Sequence, residues 1–154
     1  MSRYALATDS RDLDTLVGLF VDDVKVGRDR AGRDALRESF RTSLAGIGIS
    51  ILNVGTHVID VVDDTHATGH VYCKGEIQHG DRWIQQAILY RDTYERRGEH
   101  WYFVRRLHEL WYGAEVGVNP LGLHAANWPD HHDGRGTLPE RWDTWQRFVD
   151  ESGR

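Results

Sequence analysis

A chain of 154 residues that is 40% hydrophobic forms one domain burying roughly two thirds of its unfolded surface, so it needs neither disulfide nor metal to stay folded. A formal net charge of -5 with a pI near 6.0 leaves no basic excess to neutralise phosphates, which excludes nucleic acid as the main partner. The single cysteine, Cys73, cannot form an internal disulfide, and no run approaches the ~18 apolar residues of a spanning helix. A cytoplasmic protein with no membrane partner is expected.

In chain order, Ser2 to Thr8 reads as a short helix that must dock on something larger to persist. Ser10 and Asp12 then offer N-cap side chains, and Leu13, Leu16, Val17 and Phe20 recur at spacings of three and four, the stripe of a second helix. Val24-Lys25-Val26 alternates as a brief strand. A third helix is predicted from Arg33 to Leu44, with Ala35, Leu36, Phe40 and Leu44 on one face and Gly46 and Gly48 closing it.

From Ile49 the period changes from near 3.6 to 2. Four strands are predicted, at about 50–62, 66–78, 82–96 and 100–112, joined by tight turns at Asp63-Asp64, His79-Gly80-Asp81 and Arg97-Gly98-Glu99. On the third, Ile88, Tyr90, Asp92 and Tyr94 share a face. On the fourth, simple alternation groups Trp101, Phe103, Arg105 and Leu107 against Tyr102, Val104, Arg106 and His108. Helices followed by an antiparallel meander make an α+β layout. The last stretch, 114–154, is predicted to pack on the same domain or on a partner subunit, with a final helix opening at Leu138-Pro139-Glu140 under a Thr137 cap. Trp142, Trp145 and Phe148 or Val149 form that helix's apolar face.

The phrases RYALATDSRDLDTLVGLFVDDV, THVIDVVDDTHATGHVYC and YRDTYERRGEHWYFVRR resemble the SnoaL-like branch of the nuclear transport factor 2-like superfamily, which includes dehydratases and dehydrochlorinases. The likeness runs from about Tyr4 to Gly113, so 1–113 is expected to be the SnoaL-like domain. It implies a cone-shaped fold in which N-terminal helices and a strongly curved, mainly antiparallel sheet enclose a pocket, often in a dimer. On one such scaffold sit dehydratases, isomerases, cyclases and non-catalytic binding modules, so the site must decide between them.

Asp9 carries the most chemistry. It ends an apolar helix against the sheet, where partial desolvation would raise its pKa toward that of a general base, and in the family the matching aspartate assists a histidine. The alternative is that Asp9 only caps the next helix. Where relatives carry that histidine this chain has Asn53, or Leu52 on a one-residue slip, and His57 follows four residues on. In a regular strand Asn53 and His57 share a face. His70 is the second imidazole candidate: if it points inward so do Tyr72 and Lys74, and if outward then Gly69, Val71 and Cys73 line the wall. The preferred assignment is inward.

Tyr90 matches a ligand-contacting position, and its hydroxyl could donate to a substrate oxygen. His108 and Trp111 lie toward the mouth of such a cone, and Asn53, as a group that could orient a ligand carbonyl, with Tyr4 and Tyr72 completes the substrate-binding set. His131, His132 and Asp133 are adjacent on an irregular segment, a poor geometry for one ion, so no metal and no cofactor are expected. Two readings stand. One is a cofactor-independent dehydratase, isomerase or cyclase acting on a small hydrophobic molecule, with Asp9 and His70 or His57 moving the proton. The other is a non-catalytic small-molecule-binding module, or one that pairs as a homodimer through its sheet face.

Overall fold

The computed structural model describes residues 2–127, 130 and 134–153. Helices α1 (Ser2–Asp9), α2 (Leu13–Gly18) and α3 (Arg33–Ala45), with the short strands β1 (Lys25–Val26) and β2 (Arg30–Ala31), precede four long strands, β3 (Ser50–Val61), β4 (His66–His79), β5 (Arg82–Arg97) and β6 (His100–Glu115). The last four form one antiparallel sheet in sequential order, and the fold is the α+β cone the sequence implied. Short turns explain the order: four residues, 62–65, join β3 to β4, and in the two-residue turns that follow Gly80 and Gly98 both take φ near +64°, a conformation a glycine adopts without strain.

Strand β4 places Ala67, Gly69, Val71, Cys73 and Gly75 on its buried face, and β5 answers with Ile88, Tyr90, Asp92 and Tyr94. Small residues on one strand leave room for rings on the next. A Cβ on Gly69 would lie 2.9 Å from the Tyr94 ring, so the glycine makes space for that aromatic. Phe20, Val21, Val24, Val26, Tyr94 and Phe103 form one core cluster, and Ala7, Leu13, Leu16, Leu44 and Phe148 a second. Each large side chain so buried stabilises the fold by roughly 1.5–3 kcal/mol.

The sheet departs from regular alternation three times, and the first two departures correct an expectation. In β3, Val54 pairs with Cys73 and His57 with Val71, so Gly55 and Thr56 together oppose one residue. That bulge puts Asn53 and His57 on opposite faces instead of one. In β6, Phe103 pairs with Tyr94 and Arg105 with Thr93, which makes Val104 an extra residue and brings Phe103, Arg106 and His108 to the same inner face. The Val104 bulge also turns Trp111 outward, where its ring meets Tyr72, and a third bulge, at Trp111, leaves Tyr112 opposite Ala87.

Asp12 caps α2 by accepting the Thr15 amide at 3.0 Å. The C-terminal helix, α4 (Asp143–Glu151), opens later than predicted, because Pro139–Arg141 forms a 3-10 turn and Trp142 returns to extended backbone. Thr137 caps nothing there. Phe148 buries against Leu13, Leu16 and Leu44, while Thr144 donates to the Ser10 carbonyl at 2.7 Å. His131, His132 and Asp133 lie outside the described residues.

Candidate functional site

Between α1, α3 and the inner faces of β5 and β6 lies a cavity of about 550 Å³. Tyr4, Tyr90, Arg106 and His108 line one wall, Thr8, Ser50 and Leu52 close one end, and Leu36, Phe40, Leu44 and Ile88 make it mostly apolar. Its size falls within the range of ligand pockets.

The wall is built on a buried ion pair. Arg106 Nε and Nη2 donate to the two Asp92 oxygens at 2.8 and 2.7 Å, and the Tyr94 hydroxyl donates to Asp92 Oδ2 at 2.7 Å. Side-chain exposure is 4% for Arg106 and nil for Asp92, so the charges compensate each other away from water. The guanidinium also stacks 4.2, 4.3 and 4.4 Å from the ring centres of Tyr4, Tyr90 and Phe103. Burial, with neighbouring Tyr4 and Cys73, raises the Tyr90 pKa, so its phenol stays protonated. The His108 ring sits 5.5 Å from that of Tyr90 at the exposed rim. Partial burial there and the Arg106 charge lower its pKa, which favours neutral imidazole.

Asp9 occupies a different corner. It is buried, and its oxygens accept from Ser50 Oγ at 3.0 Å and the Leu52 amide at 2.8 Å. Desolvation raises its pKa, opposed by those two bonds and by Arg11. Arg11, at φ +59°, donates to Ser50 Oγ at 2.8 Å and to the Thr8 carbonyl at 2.7 Å, and it also bonds the Gly48 carbonyl. Asp9 itself does not border the cavity, but Ser50 and Leu52, which hold its oxygens, do.

The other candidates separate. His70 faces outward, its Nε2 2.9 Å from Arg91 Nη1, because Gly69, Val71 and Cys73 hold the inner parity of β4; the inward assignment is corrected. Tyr72 and Trp111 meet on that same outer face with ring centres 5.3 Å apart, near Asn53 and Lys74, away from the cavity. His57 faces the inner side but lines a separate groove with Ile59, Val61 and Trp101. Of the nine candidates, Tyr4, Tyr90 and His108 line the cavity together. Sequence reasoning passed over Asp92, Arg106 and Ser50. A signal existed, since Asp92 shares its face with two tyrosines, and an acid on a buried face requires a partner.

Among the described residues, no three His, Cys, Asp or Glu side chains come together to hold a metal ion, and no helix is long and apolar enough to cross a membrane. No protein of curated function matches the sequence. Solved structures match the fold. Hexachlorocyclohexane dehydrochlorinase LinA-type3 from Novosphingobium barchaimii aligns with a TM-score of 0.66 and 18% identity over 81% of this chain and 88% of that one. A candidate scytalone dehydratase from Novosphingobium aromaticivorans gives 0.63 and 20% over 84% and 88%. A protein of unknown function from Mycobacterium tuberculosis gives 0.61 and 16% over 98% and 80%. The family model described as a SnoaL-like domain matches residues 1–107, and the chain belongs to that family.

Proposed function

We propose that the protein is a cofactor-independent acid/base enzyme, a dehydratase, isomerase or cyclase, acting on a small, largely apolar molecule held in the cavity. The observation that carries this is the pairing of Tyr90 and His108 on one wall of an apolar cavity beside a buried arginine. Neutral His108 accepts a proton from substrate carbon at the rim. Tyr90, kept protonated by its surroundings, donates a hydrogen bond to the oxygen on which negative charge grows, and the Arg106 charge behind it stabilises that oxyanion. Return of the proton from His108 completes an isomerisation, or its transfer to a leaving hydroxyl completes a dehydration. The fold likeness to a dehydrochlorinase and a candidate dehydratase agrees with proton abstraction, a step both reactions can share.

A thermal-shift screen of ring ketones and alcohols, followed by turnover of each hit, tests this. His108→Gln should lower kcat by about 10²–10⁴-fold and Tyr90→Phe by about 10²-fold with smaller effects on KM. Hits converted equally well by both variants would sink the assignment.

The receptor reading draws on Asp9, whose two oxygens are held by Ser50 and Leu52 with no imidazole among those partners. A ligand bound tightly and converted by neither wild type nor variant favours it. In either case the outer sheet face, where Val58, Tyr72, Leu107 and Trp111 are exposed, is proposed to pair with a second copy. Leu107→Lys should then halve the sedimenting mass.

A further inference from the structure

We propose that the groove around His57 is a second small-molecule site, separate from the cavity, for a flat aromatic molecule carrying a carboxylate. Its volume is about 710 Å³, larger than that of the cavity. Ile59 and Val61 form one bank and Trp101, Tyr102 and Phe103 the other, with Ala67 and Tyr94 as floor and Leu19 and the first turn of α1 at one end. The rings of Tyr4, Phe103 and Tyr94 stand in contact, Tyr4 to Phe103 at 6.0 Å and Phe103 to Tyr94 at 5.3 Å, and separate the two spaces. Neither Tyr90 nor Arg106 borders the groove, and neither His57 nor Trp101 borders the cavity.

Two features suggest a ligand. First, the banks leave large apolar groups in water on a concave surface: Trp101 is 46% exposed, Ile59 47% and Val61 71%. Parallel banks of an indole and branched aliphatics favour a flat ring system, which buries both of its faces at once. Second, the charge is one-sided. Arg3 and His57 line the groove, and among its described lining residues there is no acid, in a chain whose formal net charge is -5. Acidic side chains are plentiful elsewhere, so an apolar groove bordered by a guanidinium and an imidazole complements an apolar anion.

The β3 bulge creates this arrangement. Without the extra residue between Val54 and His57, the imidazole would point to the outer face and Val58 would take its place. Ile59 and Val61 keep the same parity as His57, so one irregularity sets both the apolar bank and its polar end.

The test is calorimetric titration of the full chain with naphthoate and, as the uncharged counterpart, naphthylmethanol. Wild type should bind naphthoate more tightly. Ile59→Glu places a carboxylate on the exposed bank and should weaken naphthoate at least ~10-fold, while thermal melts confirm that this surface variant is folded. Arg3→Gln should weaken naphthoate about 3- to 10-fold, leave the alcohol unchanged, and lose its effect at about 0.5 M salt. Tyr90→Phe and His108→Gln should leave naphthoate binding intact, so failure of the catalytic reading and failure of this one remain separable. The proposal is overturned if naphthoate does not bind, if its affinity ignores both groove substitutions, or if they change only the sedimenting mass, which would make the groove a seat for a second copy.

Discussion

The two arms of the long hairpin, β5 and β6, pair along nearly their whole length yet follow different rules. Strand β5 alternates against β4 without interruption, so Ile88, Tyr90, Asp92 and Tyr94 all face the interior. Strand β6 is broken at Val104 and again at Trp111, and each break reverses the face of the residues beyond it. Phe103 and Arg106 are three residues apart and would point to opposite faces of a regular strand, so either the aromatic core or the ion pair would be turned to solvent. The Val104 bulge lets both turn inward, placing the guanidinium opposite Asp92 and beside three aromatic rings. Bulge, ion pair and cavity wall are thus one device.

Deleting Val104 attacks the difference between the arms directly and should have the largest effect. Regular pairing would force either Phe103 or Arg106 outward, and a loss of more than ~4 kcal/mol is expected, enough to unfold many domains of this size. Circular dichroism melts check this; a midpoint within a few degrees of wild type would show that another feature orients Arg106. Asp92→Ala comes next. It leaves the guanidinium buried without its carboxylate and should cost about 3–5 kcal/mol in urea unfolding. The double substitution Asp92→Leu with Arg106→Met removes both charges and should recover most of that loss while abolishing turnover. Equal instability of the single and double variants would locate the cost in packing, not charge.

How much of this was legible depends on which arm is considered. Strand ends, turn positions and the inward face of β5 follow from alternation and glycine placement, and the structure reproduces them to within a few residues. The inward face of β6 does not follow, because a bulge inserts one residue without a compositional mark, and a slip of one inverts every side chain beyond it. The same failure separated Asn53 from His57 in β3. His70 was misplaced for a subtler reason, as both parities of β4 offered plausible walls and only packing under Tyr90 and Tyr94 selects the small residues. Ser50 and Arg11 were invisible because their partners lie 41 and 39 residues away, Asp9 for Ser50 and Ser50 for Arg11.

The smallest expected effect concerns Asp9, which grips the regular first residues of β3 ahead of its bulge. Burial raises its carboxyl above the ordinary range, so the folded state holds the proton more tightly than the unfolded chain does. The stability this contributes is complete below the unfolded pKa of about 3.9 and is lost as pH rises through the raised folded value. Asp9→Asn is neutral at every pH and should remove that downward slope, at the cost of one acceptor for the Ser50 hydroxyl or the Leu52 amide, about 1 kcal/mol at low pH. The two stability curves, from urea midpoints across a pH series, should therefore converge as pH rises. Curves that stay parallel would mean that the Ser50 and Leu52 hydrogen bonds and the Arg11 charge offset desolvation in full, leaving Asp9 an anchor for β3 and not a poised acid.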